Sequence, residues 1–306
     1  MSRPSTPNPS TPGPLVTVLV PAYDAAPYLR EALDSILAQD LRDLELLVVD
    51  DGSTDGTDEV LAGITDPRLR VVRQDNTGLV GALNRGLDEA RGTFLARMDA
   101  DDIMPPGRLS AQLRAMTADP DLVVCGTDYE MFGAIEGRVR MPRTDAACRQ
   151  RLLMGSCHCG ASAMIRMSVL QRSGIRFRPE FAHAEDYRFF TELAAHGKMG
   201  NLPIVGYLYR MHPHQVSAVY SDEQRAAHLR IAREYALATG VRPLDDTELE
   251  LLLWAGRPEG ALPLALARQM RRVAGPAARA VIRRPGVETM RFVGRKVYEA
   301  AARTRG

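Results

Sequence analysis

Residues 44–57 read LELLVVDDGSTDGT. The first six are mostly apolar, which is typical of a strand that is buried on both faces of a parallel sheet. The run ends in Asp50 and Asp51, and a Gly-Ser turn then leads to Thr54 and Asp55, either of which can cap a following helix. A buried strand that ends in carboxylates and turns into a helix predicts one βα unit, with polar chemistry beyond the carboxyl end of the strand.

The same alternation extends to both sides of this segment. Strand-like apolar runs occupy residues 15–20, 44–49, 69–73 and 93–98. Stretches with helical spacing of apolar residues occupy residues 27–39, 54–62 and 78–90. Strands that alternate with helices at this pitch indicate βαβ units with right-handed crossovers. The predicted fold class is therefore α/β, with a mostly parallel, Rossmann-like sheet flanked by helices.

The pattern changes after about residue 121. Strands are predicted at residues 122–131, 137–140, 161–165 and 202–210. Helices are predicted at residues 145–154, 167–172 and 184–196, the last of them closed by Gly197. From about residue 221 onward the chain is predicted to be helical.

Composition excludes several classes of protein. The chain has 306 residues, of which 45% are hydrophobic and 25% charged, values that are typical of globular proteins and exclude a wholly disordered chain, a collagen or a coiled-coil rod. Residues 1–14 are rich in Ser, Thr and Pro and lack the apolar stretch of a signal peptide, so a disordered arm is expected. Since no uninterrupted apolar stretch approaches about 18 residues, we expect no membrane span and a cytoplasmic location.

The charge is distributed unevenly along the chain. Residues 268–306 contain 11 Arg or Lys and two acidic residues, which leaves 28 basic and 36 acidic residues in the remainder. Basic helices with an apolar face lie on anionic membranes, so peripheral contact with the inner face of a membrane is one expectation for this tail. Docking on the acidic remainder is the other. Nucleic acid is not expected as a partner, because only two aromatic residues, Phe292 and Tyr298, accompany the 11 basic residues of this tail.

The four cysteines are too few and too irregularly spaced for a disulfide framework, and reduced thiols are expected. Cys157, His158 and Cys159 resemble a metal cluster, but one residue between ligands is tight for zinc, and no second pair follows at finger spacing. Small buried thiols are the favoured interpretation.

Acidic clusters follow three of the predicted strands. Asp24 follows the first strand, Asp50 and Asp51 the second, and residues 99–102 the fourth. Because the carboxyl ends of parallel strands meet at one edge, these carboxylates need a positive partner. Hard oxygen donors suit Mg²⁺ or Mn²⁺, which take substrate phosphates as further ligands. A glycine-rich phosphate loop is missing, which argues against a P-loop ATPase and a Rossmann dehydrogenase.

Five segments of the chain together resemble family 2 glycosyltransferases with a GT-A fold. In order they are VLVPAY at 18–23, LVVDDGSTDGT at 47–57, ARMDADD at 96–102, AEDY at 184–187 and YRMHP at 209–213. The resemblance implies a GT-A catalytic domain over residues 15–218, followed by a helical, basic C-terminal extension over residues 219–306. It also implies an inverting transfer from a nucleotide-sugar donor, with a UDP-sugar expected, to a glycan or lipid-linked acceptor in cell-surface polysaccharide or glycan biosynthesis.

The resemblance implies a role for each residue of these motifs. Pro21, Ala22 and Tyr23 line the nucleobase pocket, Asp51 accepts a hydrogen bond from the base, Asp99 holds the ribose or a metal-bound water, and Arg210 faces the diphosphate. Asp101 and His212 are the implied ligands of Mn²⁺ or Mg²⁺, and Asp186 is the implied general base. Asn84 and Arg97 are expected to border the donor site, with a helix face or a structural ion pair as the alternatives.

Acceptor contacts are the least specified part of the predicted site. His158 lies in a loop of small residues, where binding residues often occur, and is expected to face the acceptor. Glu185 either positions the acceptor or pairs with an arginine. Structural alternatives also remain for three aspartates: a turn for Asp50, a helix cap for Asp55, and a helix cap or a solvated position for Asp102.

Two other functions fit parts of the sequence. A nucleotidyltransferase that acts on a sugar phosphate would also use a parallel sheet and acidic metal ligands. It needs a basic glycine-rich loop after the first strand, where this chain has Tyr23 to Ala26 and no basic residue before Arg30. A non-catalytic nucleotide-sugar-binding protein would have the fold without the chemistry, whereas this chain contains all the expected acids.

Overall fold

The computed structural model describes residues 13–211, 221–241 and 243. Eight strands form one sheet: β1 Val16–Ala22, β2 Leu44–Asp50, β3 Leu69–Arg73, β4 Phe94–Arg97, β5 Leu122–Gly133, β6 Gly137–Val139, β7 Met164–Arg166 and β8 Lys198–Met211. The helices are α1 Ala26–Leu37, α2 Thr57–Ala62, α3 Gly78–Glu89, α4 Arg108–Ala118, α5 Asp145–Leu152, α6 Met167–Ser173, α7 Glu185–Leu193 and α8 Ser221–Ala238. Short 3₁₀ turns occur at Gly160–Ser162 and Pro179–Phe181.

The sheet is mixed, and its parallel part carries the first half of the chain. Its strand order is β3-β2-β1-β4-β7-β5-β6, and β8 pairs with β5. Strands β1 to β4 run parallel to their neighbours within this group, which confirms the predicted βαβ units. Strand β7 runs antiparallel between β4 and β5 and joins the parallel half to the second half of the chain.

Two hydrophobic layers cover the sheet. On one face, Leu19 and Leu47 pack in the layer that includes α3 and α5 to α8. On the other, Val18 and Val48 pack in the layer that includes α1, α2 and α4. Alternate residues of a strand point to opposite faces of the sheet. Since both faces are covered, β1 and β2 are buried throughout. Each fully buried Leu or Val stabilises the fold by about 1.5–3 kcal/mol.

Several predicted boundaries are wrong. Helix α7 ends at Leu193, and Gly197 does not cap it. Instead Gly197 allows a close approach, since a Cβ there would overlap the side chain of Val123 and lie 2.6 Å from the carbonyl oxygen of Asp121. The predicted strand at residues 161–165 begins as a 3₁₀ turn and becomes a strand only at Met164, because a short apolar run does not identify its own secondary structure.

Helix α8 is the described part of the predicted extension, and it packs on α7. Ile231 and Ala232 are buried in the layer that contains α7. Arg188 of α7 pairs with Glu234 of α8 at 2.7 Å. The predictions for residues 1–12, for His212 and for the basic tail lie outside the described residues. Within the described ranges, no helix is both long and apolar enough to cross a membrane.

Candidate active site

The loops after β1 and β2 are joined by hydrogen bonds at the carboxyl edge of the sheet. Asp24 has a φ of +46°, and its backbone N–H donates to Oγ of Ser53 at 3.0 Å. The backbone N–H of Thr54 donates in return to Oδ1 of Asp24 at 2.8 Å. Pro21 and Ala22 are buried at the end of β1, whereas Tyr23 is 53% exposed. The predicted nucleobase residues therefore lie on a braced loop with one aromatic side chain open to a ligand.

Asp51 forms hydrogen bonds to the segment before α3, whereas Asp50 bonds within its own turn. It is buried, and its Oδ1 accepts hydrogen bonds from the backbone N–H of Thr77 at 2.9 Å and from Nε2 of Gln74 at 2.7 Å. It thus links the end of β2 to the start of α3. Asp50 forms the turn by accepting from the N–H of Ser53 at 3.1 Å.

Asp55 accepts hydrogen bonds from the first residue of two helices. Its Oδ1 accepts from the N–H of Thr57 at 3.1 Å, and its Oδ2 accepts from the N–H of Ala26 at 2.9 Å. The N-cap of α2 is Gly56, one residue later than the predicted cap, so Asp55 has a structural role without occupying the cap position.

The acidic segment after β4 is held by the end of β8. The hydroxyl of Tyr207 lies within hydrogen-bond distance of Oδ2 of Asp99, at 3.1 Å, and of Oδ2 of Asp102, and these two oxygens share its single hydrogen. The backbone N–H of Arg210 donates to Oδ1 of Asp102 at 2.6 Å. Asp102 is fully buried, so the predicted solvated position is wrong, and α4 begins too late, at Arg108, for Asp102 to cap it. No sequence motif had pointed to Tyr207.

The donor set of this segment suits a hard divalent cation. Burial, together with repulsion from Asp101 and Asp99, raises the pKa of Asp102 to about 8. This crowding of negative charge is what a cation would relieve. The donors are carboxylate oxygens, the ligand type that Mg²⁺ and Mn²⁺ prefer, so the residues fit the implied metal. The second implied ligand, His212, lies outside the described residues.

Arg97 is a buried cation between the acidic segment and α7. It is 6% exposed, and its Nη2 donates to Oδ1 of Asp99 at 3.1 Å. Burial opposes its charge, but Asp99, Glu185 and Asp186 outweigh that effect, so the pKa of Arg97 is raised. Its Nε has no hydrogen-bond partner among the described residues. Arg97, which is predicted to border the donor site, therefore interacts electrostatically with Asp99 and with the two carboxyl groups of α7.

Glu185 and Asp186 open α7, and their environments differ. Burial and the neighbouring Asp186 raise the pKa of Glu185 to about 7, while Arg97 acts in the opposite direction. Asp186 is only partly buried, and its Oδ1 accepts from the N–H of Tyr187 at 2.6 Å. The positive end of the helix dipole favours carboxylates at this position. Of the two, Asp186 is the carboxylate that a ligand can reach.

Gly160 allows Arg97 and Asp186 to approach the same turn. A Cβ at residue 160 would overlap Nη1 of Arg97 and lie 2.7 Å from Oδ2 of Asp186. The space that a side chain at residue 160 would fill is occupied by the guanidinium of Arg97 and the carboxylate of Asp186.

We expect Gly160→Ala to lower turnover by roughly 10²-fold, since a displacement of about 1 Å at a catalytic group has that cost. Circular dichroism should be unchanged, and steady-state kinetics would measure the loss. Gly63→Ala is the matched control, because a Cβ at residue 63 meets its nearest atoms at 3.5 Å. Wild-type kinetics in Gly160→Ala would contradict this role.

Arg108 and Gln112 form a buried polar pair on α4, and Arg108 bonds to the backbone of the loops that carry the site. Arg108 is fully buried, and its Nη2 donates to the carbonyl oxygens of Arg97 at 2.8 Å and Ala161 at 2.9 Å. Its Nε donates to Oε1 of Gln112 at 3.0 Å. Burial lowers the pKa of Arg108 to about 10. Arg108 therefore ties the end of β4 to the turn that contains Gly160, a role that its charged side chain did not suggest in the sequence.

Two predicted contacts are corrected. His158 is 2% exposed and contacts Phe190 with ring centroids 4.8 Å apart, so it is too deeply buried to meet an acceptor. Asn84 uses both ends of its amide on Phe177, donating to the carbonyl oxygen and accepting from the N–H, each at 2.9 Å. These bonds support the structural alternative for Asn84, because they leave its amide committed to the backbone.

Arg210 lies at the rim of the site. Its guanidinium lies 4.8 Å from the ring centroid of Tyr28 and 4.6 Å from that of Phe132. Its Nε donates to the carbonyl oxygen of Asp101 at 2.8 Å, and its Nη2 pairs with Glu31 at 2.7 Å. These contacts hold a positive charge beside the acidic segment.

Comparisons with known proteins identify relatives of this chain. A chain of Haemophilus influenzae described as an uncharacterized glycosyltransferase is 31% identical over 72% of this chain and 73% of its own length. The succinoglycan biosynthesis protein ExoO of Rhizobium meliloti is 32% identical over 73% of this chain and 70% of its own.

Two solved structures show the same fold. The TarS structure from S. aureus with UDP-GlcNAc matches with a TM-score of 0.63 and 18% identity, over 95% of this chain and 90% of that one. The mannosyltransferase PcManGT of Pyrobaculum calidifontis, solved with GDP-Man and Mn²⁺, matches with a TM-score of 0.59 and 23% identity, over 98% and 89%. These likenesses confirm the GT-A fold.

The family model described as glycosyl transferase family 2 matches residues 17–174. That range is more than half of the chain, and it contains Asp51, Asp99 and Asp101 at the carboxyl edge of the sheet. With both the sequence relatives and the fold in agreement, the chain belongs to glycosyltransferase family 2.

Proposed function

We propose that this glycosyltransferase moves a sugar from a UDP-sugar to an acceptor hydroxyl with inversion, in the synthesis of a cell-surface polysaccharide or glycan. The observation that carries the proposal is the convergence of two acidic motifs on one buried cation. Arg97 bonds Asp99 of the first motif and is stabilised by Asp186 of the second. Such an arrangement supports a donor site and a general base that lie side by side.

The donor would lie across the carboxyl ends of β1, β2 and β4. Tyr23 offers an exposed ring to the base, and Asp51 offers a carboxylate held by Thr77 and Gln74. Arg210 supplies a positive charge at the rim, where the diphosphate would lie. A UDP-sugar is favoured because the second Asp of this motif accepts a hydrogen bond from the base in relatives that use UDP-sugars.

The acidic segment would hold Mn²⁺ or Mg²⁺ through Asp101, with Asp99 on the ribose or on a metal-bound water. When bound, the ion would stabilise negative charge on the departing diphosphate. Asp99 is oriented for this task by Arg97 on one oxygen and by Tyr207 on the other.

Asp186 would act as the general base. It takes the proton from the acceptor hydroxyl while that oxygen forms a bond to the anomeric carbon. The bond from the anomeric carbon to the diphosphate oxygen breaks in the same displacement, so the configuration inverts and UDP leaves. The positive charge of Arg97 acts on this carboxylate, and Glu185, whose pKa is raised to about 7, is expected to carry a proton for part of the time near neutral pH.

A donor screen tests the proposal. The full chain is incubated with a panel of UDP-sugars and with GDP-mannose, with Mn²⁺, Mg²⁺ or EDTA, and free nucleotide is measured. We expect metal-dependent release of UDP from one or a few UDP-sugars and an inverted anomer in the product by NMR. Release of GDP alone would overturn the choice of base, a retained anomer would overturn the single displacement, and failure to bind any of these donors would overturn the function.

The proposed acceptor is attached to a membrane lipid. We infer that a lipid-linked acceptor brings the enzyme to an anionic surface through the 11 Arg and Lys of residues 268–306, each worth about 1 kcal/mol near such a surface. The full chain is then expected to co-sediment with anionic vesicles at low salt and to be released at high salt. Equal sedimentation after Arg279, Arg283 and Arg284 are changed to Gln would count against this contact.

A further inference from the structure

A second group of metal-ligating side chains lies inside the molecule, away from the carboxylates of the acidic segment. Cys148 belongs to α5, and Cys157 and His158 belong to the segment that leads to the turn at Gly160. One donor atom from each of the three lies within 4.8 Å of the other two. All three residues are buried, with exposures of 0%, 0% and 2%.

The metal-ligating residues that the fold brings together differ from the three that are consecutive in the sequence. In the sequence, Cys157-His158-Cys159 is a poor zinc motif, because a single residue separates the two cysteines. In the structure Cys159 lies apart from the cluster, near the active-site acids, where burial and then Asp99 and Asp186 raise its thiol pKa to about 12. Cys148, which is nine positions earlier than Cys157, takes its place.

The protonation state of His158 leaves one nitrogen available. Asn201 donates from Nδ2 to the carbonyl oxygens of Pro142 at 2.6 Å and Cys157 at 3.0 Å, so its amide orientation is defined and its Oδ1 must accept. His158 Nδ1 lies 2.8 Å from that oxygen and therefore carries the hydrogen. With the hydrogen on Nδ1, the lone pair of the neutral ring lies on Nε2.

Nε2 of His158 is buried and accepts no hydrogen bond among the described residues, which is uncommon for a buried polar atom. A neutral imidazole whose Nδ1–H is held by an amide oxygen while Nε2 is left open is the arrangement found in metal-ligating histidines.

We propose that Cys148, Cys157 and His158 bind a thiophilic cation such as Zn²⁺, at a site separate from the carboxylate site. Two sulfurs and one imidazole nitrogen are the soft and borderline donors that zinc prefers, whereas the carboxylates of the acidic segment suit Mg²⁺ or Mn²⁺. With Zn–S bonds of about 2.3 Å and Zn–N bonds of about 2.0–2.1 Å, tetrahedral donors lie about 3.5–3.8 Å apart. No two donor atoms of the cluster therefore need to approach by more than about 1.3 Å. On binding, the two thiols lose their protons to solvent.

Asn201 and Gly126 form the surroundings of the site. Nδ2 of Asn201 also lies 3.8 Å from Sγ of Cys148, so one side chain contacts all three proposed ligands or their backbone. A Cβ on Gly126 would overlap Oδ1 of Asn201 and lie 2.7 Å from Nδ1 of His158. The bound cation would stabilise the segment that positions Gly160 beside Asp186, which is a structural role in this enzyme.

Cobalt provides a probe with an optical signal. The full chain is reduced, stripped of metal with a chelator and titrated with Co²⁺ in the presence of excess Mg²⁺. We expect a sulfur-to-metal charge-transfer band that saturates at about one Co²⁺ per chain and is displaced by Zn²⁺, as for a tetrahedral site with thiolate ligands. Zn²⁺ should also raise the melting temperature, and an equal concentration of Mg²⁺ should not. Cobalt binding without the sulfur band, or no binding, would overturn the proposal.

Variants assign the band to the cluster. Cys148→Ala and Cys157→Ala should lose it together with the stabilisation by Zn²⁺. Cys125→Ala is the matched control, because Cys125 is equally buried, at 1% exposure, but lies outside the cluster. Retention of the full band in either cluster variant would overturn the assignment. Should a cluster variant fail to fold, the band and its stoichiometry in the wild-type chain still decide whether two thiolates bind the metal.

Discussion

Asp186→Asn is expected to lower turnover by roughly 10²–10⁴-fold, the usual contribution of a general base. The amide keeps the size and shape of the carboxylate and can still accept from the N–H of Tyr187, as Asp186 does at 2.6 Å. It cannot take the proton of the acceptor hydroxyl. Affinity for the donor should change little, because the change removes neither the donor ligands nor the charge of Arg97. Steady-state kinetics and donor titration calorimetry separate the two effects.

The matched control for this variant is Asp88→Asn. Asp88 is also a carboxylate on a helix, and it pairs with Arg176 at 3.1 Å, but its side chain is 62% exposed, so the kinetics of Asp88→Asn should stay at the wild-type level. Loss of donor binding in Asp186→Asn with normal turnover at saturating donor would remove Asp186 from the base role. Glu185→Gln distinguishes the neighbouring carboxyl: a loss as large as that of Asp186→Asn would move the base to Glu185.

Asp101→Ala is expected to abolish metal-dependent turnover, with a loss of about 10³-fold or more. Stabilisation of leaving-group charge by a metal is worth several kcal/mol, and each 1.4 kcal/mol is a factor of ten in rate. Removing this carboxylate also removes one of the charges that raise the pKa of Asp102. The variant should therefore fold, and its rate should no longer respond to added Mn²⁺.

The measurement is turnover against Mn²⁺ concentration for the wild type, Asp101→Ala and Asp121→Ala, each repeated with EDTA. Asp121 is an exposed carboxylate that pairs with Lys198 at 3.2 Å, so its removal should leave the metal response intact. Wild-type activity of Asp101→Ala in EDTA would show that this enzyme does not use a metal at the acidic segment.

The parallel half of the fold was predictable because its signals are local. Strands β1 to β4 are short apolar runs, and each is followed within a few residues by polar or glycine residues that turn the chain. The acids at the ends of those runs meet at one edge by topology alone, since the carboxyl ends of neighbouring parallel strands lie side by side. Asp51, Asp99 and Asp101 were therefore found from the sequence, together with the expectation that they needed a cation.

The supports of the site were not predictable, because they join residues that are far apart in the chain. Tyr207 reaches Asp102 across 105 positions, and nothing near Tyr207 signals that partner. Arg108 is a charged residue in the core, whereas arginine is usually placed at the surface. His158 lies in a segment of small residues that resembles an exposed loop, yet Asn201 and Phe190 enclose it.

The amino-acid sequence alone established the family, the βαβ half of the sheet and the acids of the two motifs, because each is written in consecutive residues. Only the tertiary structure decided which groups those acids meet. Arg97 lies between Asp99 and Asp186 because α4 holds the end of β4 and because Gly160 leaves room beside it. Cys148 joins Cys157 and His158 because α5 packs against the segment before that turn. The physical reason is that burial and charge pairing depend on distances in space, and the folded chain sets those distances between residues that no local pattern connects.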